Sequence, residues 1–217
     1  MMRPKLHAVE TGGWRVQSGE AGLASTRGQL VGRALVGGGA LAAGGVLVSG
    51  LAPDSLSAPS PAQDARILNF ALHLEYLQAR FYAEAVGRGG LTGELLQFAR
   101  VAGRHERIHV AYLKRVLGDA AQPPPEFDFG DATGDADRFG RTAVTLEDLA
   151  VAAYNGQGTN LTRPALAAAV KIVSVEARHA SWVRAIVGAP PAPHAQDPLW
   201  SAVRATTAVK RTGFVRG

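Results

Sequence analysis

Apolar positions recur at helical spacing in four stretches of this chain, and each stretch carries one glutamate on the face that the spacing would bury. The first, residues 66–87, has the stripe Leu68, Ala71, Leu72, Glu75, Ala79, Tyr82 and Val86, with Asp64 placed to cap it and Gly87 to stop it. The second, 94–117, runs Phe98/Ala99, Ala102, Glu106, His109/Val110, Leu113 and Leu117, and ends at Gly118. The third begins near Asp135 or Asp137 and ends over 154–156, with Phe139/Gly140, Ala143/Val144, Glu147, Ala150/Val151 and Tyr154 facing inward. The fourth, 163–187, has Thr162 at its start and Pro164 in its first turn, and Gly188 and the prolines at 190–193 close it. Its stripe is Leu166, Val170, Val173, Glu176, Ala180, Val183 and Val187.

The connections set the topology. A glycine-rich turn at 88–93 returns the second helix antiparallel to the first. Residues 119–134 contain three consecutive prolines, Pro123 to Pro125, and are expected to run extended, as a crossover that lets the third helix lie parallel to the second. Phe127 and Phe129 in this link are expected to pack on the body. The fold class is therefore all-α: a four-helix bundle over 64–190 with a long crossover between helices 2 and 3. Residues 1–58 precede it as a separate leader, and 191–217 follow as a basic tail with no assigned element.

Two of the inward glutamates have a histidine three residues on: Glu106 with His109, and Glu176 with His179. That spacing leaves both side chains on one helix face, about 60° apart around the axis. All four glutamates fall near the middle of their helices, so antiparallel packing brings them to one depth. Burying unpaired carboxylates costs several kcal/mol, roughly, for each, and four together repel. Either protonation or bound cations must relieve them. No lysine or arginine falls on the inward stripes. Two divalent metals would offset the four charges, and the two histidines would complete a mixed carboxylate and imidazole set that suits iron or manganese better than magnesium or copper.

One Glu from each of two helices, with Glu-x-x-His from each of the other two, is the ligand pattern of ferritin-like di-iron and di-manganese bundles. Residues 66–188 resemble the ferritin-like domain family that includes exported bacterial proteins and plant desiccation-related proteins. The likeness lies in the stretches 68–82, 105–109, 146–156 and 174–179. It implies that Glu106 and Glu176 bridge two metals, that Glu75 and Glu147 are terminal carboxylates, and that His109 and His179 take one metal each. Asp148 adjoins Glu147, so the register of helix 3 decides which of the two points inward. Tyr82 and Tyr154 follow Glu75 and Glu147 by two turns and are expected to serve in core packing, with hydrogen bonding behind the ligands or radical chemistry as the alternative. His73 and His105 fall off the stripes and are expected to be solvated.

Charge narrows the partners. The net charge of +5 sits in the ends: residues 1–33 carry five Lys/Arg against two Glu, and residues 188–217 carry four against one Asp. The region between them is nearly neutral, which speaks against nucleic-acid binding. There is no cysteine, so thiolate metal sites and disulfides are excluded. Residues 34–53 hold no charge and follow Arg27 and Arg33, the order of an export signal or membrane anchor. Residues 25–30 resemble a twin-arginine export motif with Thr26 in place of the first arginine, and a small-residue cleavage site would end at Ala58. The expected product is an exported or membrane-tethered protein of the cell envelope, with association through 34–53 and with homo-oligomer formation open. It would bind two iron or manganese ions and oxidise Fe(II) or reduce O2 or peroxide, with a manganese catalase-like reaction as a variant. The alternative is a metal-stabilised structural or desiccation-protection role. Storage in a hollow shell fits less well, because the leader and tail would obstruct a cage.

Overall fold

The computed structural model describes residues 58–216, and the export and anchor readings of the leader lie outside them. The described chain is mainly helical. Four long helices, α1 (Pro61–Arg88), α2 (Gly93–Leu117), α3 (Ala136–Gln157) and α4 (Arg163–Ile186), form the bundle, and a fifth, α5 (Ala202–Thr212), packs on α3. No helix among the described residues is long and apolar enough to cross a membrane.

The helix ends follow local chemistry, with two corrections in α1, whose cap is Ser60 in place of Asp64 and whose stop is Gly89 in place of Gly87. Helix α1 begins earlier than the stripe suggests, because Ser60 is its cap: the Ser60 hydroxyl accepts from the Gln63 amide at 3.3 Å, and Pro61 opens the first turn. Asp64 is one turn inside and ties α1 to α4 instead. Its carboxylate accepts from the Thr162 amide at 2.9 Å and from the Thr162 hydroxyl. Gly89 ends α1 in the left-handed region at φ 74, where a side chain would be strained. Asp135, one of the two starts expected for α3, is its cap and accepts from the Arg138 amide at 2.8 Å.

Helices α1 and α2 approach closely because Gly103 has no side chain; a Cβ there would stand 2.8 Å from the Cβ of Tyr82. Tyr82 of α1 reaches Glu147 of α3, while Tyr154 of α3 reaches Glu75 of α1. That crossed pairing makes α1 and α3 antiparallel. With α1 also antiparallel to α2, helix α3 runs parallel to α2, as the crossover requires. The crossover is mostly extended but holds two short 3-10 turns, Gly118–Ala120 and Gly130–Thr133. Buried Asn69 pins its start, donating to the carbonyls of Ala65 and Ala120 and accepting from the Gln122 amide.

The stripe of α4 departs from expectation in its first half and at its end, where Val187 is 40% exposed. The face that packs inward is Ala165, Ala168, Ala169, Ile172, Glu176, His179, Ala180 and Val183, while Val170 is 49% exposed. Alanines let α4 sit close to its neighbours, so small residues, not the larger valine, define its buried side.

The tail is structured. Trp200 donates its backbone amide to Ala152 at 2.9 Å, and its carbonyl passes so near Gly156 that a Cβ would lie 1.9 Å from it. Beyond α5, strand β2 (Val215–Arg216) pairs antiparallel with β1 (Glu126–Phe127) of the crossover. Phe214 joins Phe81, Phe129 and Phe139 in an aromatic cluster, with Phe81 stacked on Phe139 at 5.1 Å. Such pairs add about 0.5–1.5 kcal/mol each beyond area burial. Tail and crossover thus hold each other against one end of the bundle.

Candidate metal centre

Each long helix delivers its inward glutamate to one place. Glu75 comes from α1, Glu106 and His109 from α2, Glu147 from α3, and Glu176 and His179 from α4; all four glutamates are 0% exposed and both histidines are buried. Asp148 points outward and pairs with Arg184, so Glu147 is the buried member of the two. The six side chains form two overlapping groups: Glu75, Glu106, His109 and Glu176, and Glu106, Glu147, Glu176 and His179. Within each group one ligand-type atom per residue lies within 4.8 Å of the others. Glu106 and Glu176 belong to both.

The nitrogen that faces inward on each imidazole is Nδ1. On His109 it lies 3.0 Å from Glu106 Oε2, 3.1 Å from Glu75 Oε2 and 3.1 Å from Glu176 Oε1. On His179 it lies 3.0 Å from Glu106 Oε1 and 3.5 Å from Glu147 Oε2. Four of these atoms, Glu106 Oε1, Glu147 Oε2, Glu176 Oε1 and His179 Nδ1, are buried and make no hydrogen bond. Atoms this close that do not bond one another have lone pairs aimed at shared space. Leaving each unsatisfied would cost about 1–3 kcal/mol or more. A divalent cation satisfies such a donor set, and four carboxylates with two imidazoles fit a two-metal site.

The remaining atoms of the ligand groups are held from behind. Tyr154 donates its hydroxyl to Glu75 Oε1 at 2.6 Å, and Tyr82 donates to Glu147 Oε1. Gln78 Nε2 approaches Glu176 Oε2 at 3.4 Å. The two tyrosines therefore do more than fill the core: each fixes the carboxylate on the opposite helix. The signal available for this was the repeated seven-residue offset, Glu75 to Tyr82 and Glu147 to Tyr154, which puts each tyrosine on the same face as a ligand. His105 also departs from expectation. It is only half-exposed, and its Nδ1 lies 2.9 Å from the outer nitrogen, Nε2, of His179. Nothing in the stripe of α2 marks it, because it lies at the seam with α4. His73 is buried and its Nδ1–H donates to the Asn69 carbonyl at 2.7 Å, so it is not solvated.

Electrostatics of the metal-free cluster are mutual. Burial works to lower the pKa of His109, but the carboxylates of Glu106, Glu176 and Glu75 around its Nδ1 overrule it and lift it to about 12. His179 behaves likewise: burial opposes the charge, while Glu106 and Glu147 raise the pKa to about 11. Burial raises Glu75 to about 8 against the pull of His109. Burial, then the neighbouring Glu106 and Glu75, pushes Glu176 well above the usual carboxylate range. Glu106 resists its own burial because the imidazoles of His109 and His179 stand against it, and it falls to about 2. Without metal, the imidazoles act as counter-cations. Metal entry replaces those protons.

A four-helix bundle whose mid-section gathers one glutamate per helix and two Glu-x-x-His pairs has the build of a carboxylate metal protein. Residues 63–189, more than half of the chain, match the ferritin-like domain family, and the protein belongs to it. No curated protein matches the chain.

Proposed function

We propose that the cluster binds two iron or manganese ions and that the protein oxidises Fe(II), with O2 or peroxide reduced, at the cell envelope. The observation that carries this reading is the convergence of four buried, hydrogen-bond-free ligand atoms in a group that shares Glu106 and Glu176 with a second group. Bound iron supplies the electrons for reducing oxygen or peroxide. The chain's own residues do the rest. Glu106 and Glu176, placed between the two histidines, would hold both ions. Glu75 and Glu147 would each close one side, with Tyr154 and Tyr82 fixing their orientation. Phe98, Leu72 and Leu113, all fully buried, keep bulk water from the bundle interior. The charge-free run 34–53 behind Arg27 and Arg33 supports placement at the envelope.

A second reading is a metal that stabilises the fold without turnover. It is favoured by the complete enclosure of the four carboxylates, which suits an ion that stays. One experiment separates the two. The full chain is stripped of metal, given Fe(II) without oxygen and then exposed to O2, beside a chain with Glu106→Ala and Glu176→Ala. Faster iron oxidation in the native chain is the expected result. Equal rates in the two chains sink the oxidase reading, and a rise in melting temperature with metal but no oxygen chemistry supports the structural one.

A further inference from the structure

The two halves of the centre differ at the outer nitrogens of the histidines. His105 Nδ1 stands 2.9 Å from His179 Nε2, with the ring planes 16° apart and the ring centres 5.2 Å apart. The residue that occupies the corresponding place on α4, just before the glutamate of the Glu-x-x-His pair, is Val175, which has no polar side-chain atom. Among the described residues no side chain or carbonyl bonds Nε2 of His109; its hydrogen bonds are all made by Nδ1.

We propose that His105 is a positioning residue for the ion at the group Glu106, Glu147, Glu176 and His179, and that it makes the two metal positions unequal. This rests on the two-metal reading given above. An imidazole that binds metal through Nδ1 must carry its proton on Nε2, and an acceptor facing Nε2 selects that form. The Nδ1 lone pair of His105 is that acceptor, and its own proton then sits on the nitrogen away from His179. Packing fixes the ring as well. His105 lies edge to edge and nearly coplanar with His179, and Phe98 meets His179 edge-on at 6.4 Å and 87°. His179 is thereby aimed before a metal arrives, whereas His109 is aimed only by the carboxylates it shares with its ion. Because His105 is half-exposed, its replacement leaves no deep cavity.

The test is metal binding by the full chain, with Co(II) and Mn(II) as probes under anaerobic conditions, followed by equilibrium dialysis and the visible Co(II) spectrum. The native chain is expected to bind two ions. His105→Ala is expected to weaken one of them about tenfold to hundredfold and leave the other unchanged. His105→Gln should restore most of the loss, since its carboxamide oxygen can accept from Nε2–H. In a His179→Ala background His105→Ala should change nothing, while in a His109→Ala background it should still weaken the remaining ion. Equal weakening at both positions, or an effect that persists without His179, overturns the proposal as a general loss of structure. Two ions held as tightly by the His105→Ala chain as by the native chain overturn it alone. Binding of less than about one ion per chain overturns the two-metal reading and this inference together.

Discussion

The first half of the bundle, α1 with α2, and the second, α3 with α4, carry the same parts in the same order. Glu75, Tyr82, Glu106 and His109 answer to Glu147, Tyr154, Glu176 and His179. The tyrosines cross over, each serving the other half's carboxylate. What differs lies just outside these parts. Gln78 faces Glu176, but its counterpart three residues after Glu147 is Ala150. His105 backs His179, but Val175 offers His109 nothing polar. The tail docks on α3 through Gly156, where α1 has Glu84 at the matching offset. The candidate ligands are thus what the halves share, and any difference between the two proposed ions must come from the residues they do not share.

Each way of disturbing that balance has an expected size. The largest effect should come from Glu106→Ala, because Glu106 serves both groups and is the main anion beside both histidines. Loss of both ions is expected. In the metal-free chain, two imidazolium groups without their shared partner should cost about 3–5 kcal/mol, measured by denaturant unfolding. Next, Gly156→Ala strikes only the second half. A methyl group cannot coexist with the Trp200 carbonyl, and the tail must shift at about 1–3 kcal/mol, with a changed Trp200 fluorescence. Tyr82→Phe and Tyr154→Phe should each cost about 0.5–1.5 kcal/mol. Similar losses in the two would uphold the equivalence of the halves; a loss confined to one would break it.

The gentlest probe is pH. In the metal-free chain His109, His179 and Glu75 have pKa values raised on folding, to about 12, 11 and 8. Their contribution is fully present below their unfolded values and is lost as pH rises through the folded ones. Glu106, lowered to about 2, contributes nothing variable in the neutral range. The melting temperature of the metal-free chain should therefore fall as pH rises from about 6 to about 9. Metal affinity should strengthen over the same range, since uptake releases those protons. A metal-free melting temperature that climbs with pH would contradict this account.

Much of the centre was legible before folding because the ligands interrupt otherwise apolar stripes. A glutamate on such a stripe has few explanations, and Glu-x-x-His occurring twice leaves fewer. The bundle helices followed from the same periodicity together with Gly118, Pro164 and the glycine-rich turn at 88–93. Residues that act across a seam were hidden. His105 reads as surface on α2 alone, and only the approach of α4 gives it a partner. The hydroxyls of Tyr82 and Tyr154 find carboxylates on a helix that their own sequence neighbourhood does not specify. Asp64 looked like a cap because its partner, Thr162, is far along the chain. On α4, Val170 outweighed Ala168 and Ala169 by hydropathy, yet close packing favoured the alanines. The tail was unreadable because α5 is short and polar, and strands of two residues leave no pattern.

The pairing of β1 with β2 has a consequence for how the molecule opens. Asp128 and Arg216 form an ion pair 88 residues apart in sequence, and the Asp128 amide bonds the Phe214 carbonyl at 2.9 Å. Contacts that close so long a loop form late and, at a surface, give way early. None of the six ligands lies in the tail or the crossover, so this region can detach while the cluster stays assembled. Amide hydrogens at Asp128 should exchange through that local opening, and those around Glu106 only through loss of the bundle itself. The protein is then expected to show two exchange regimes: an outer one that leaves the ions bound, and an inner one that releases them.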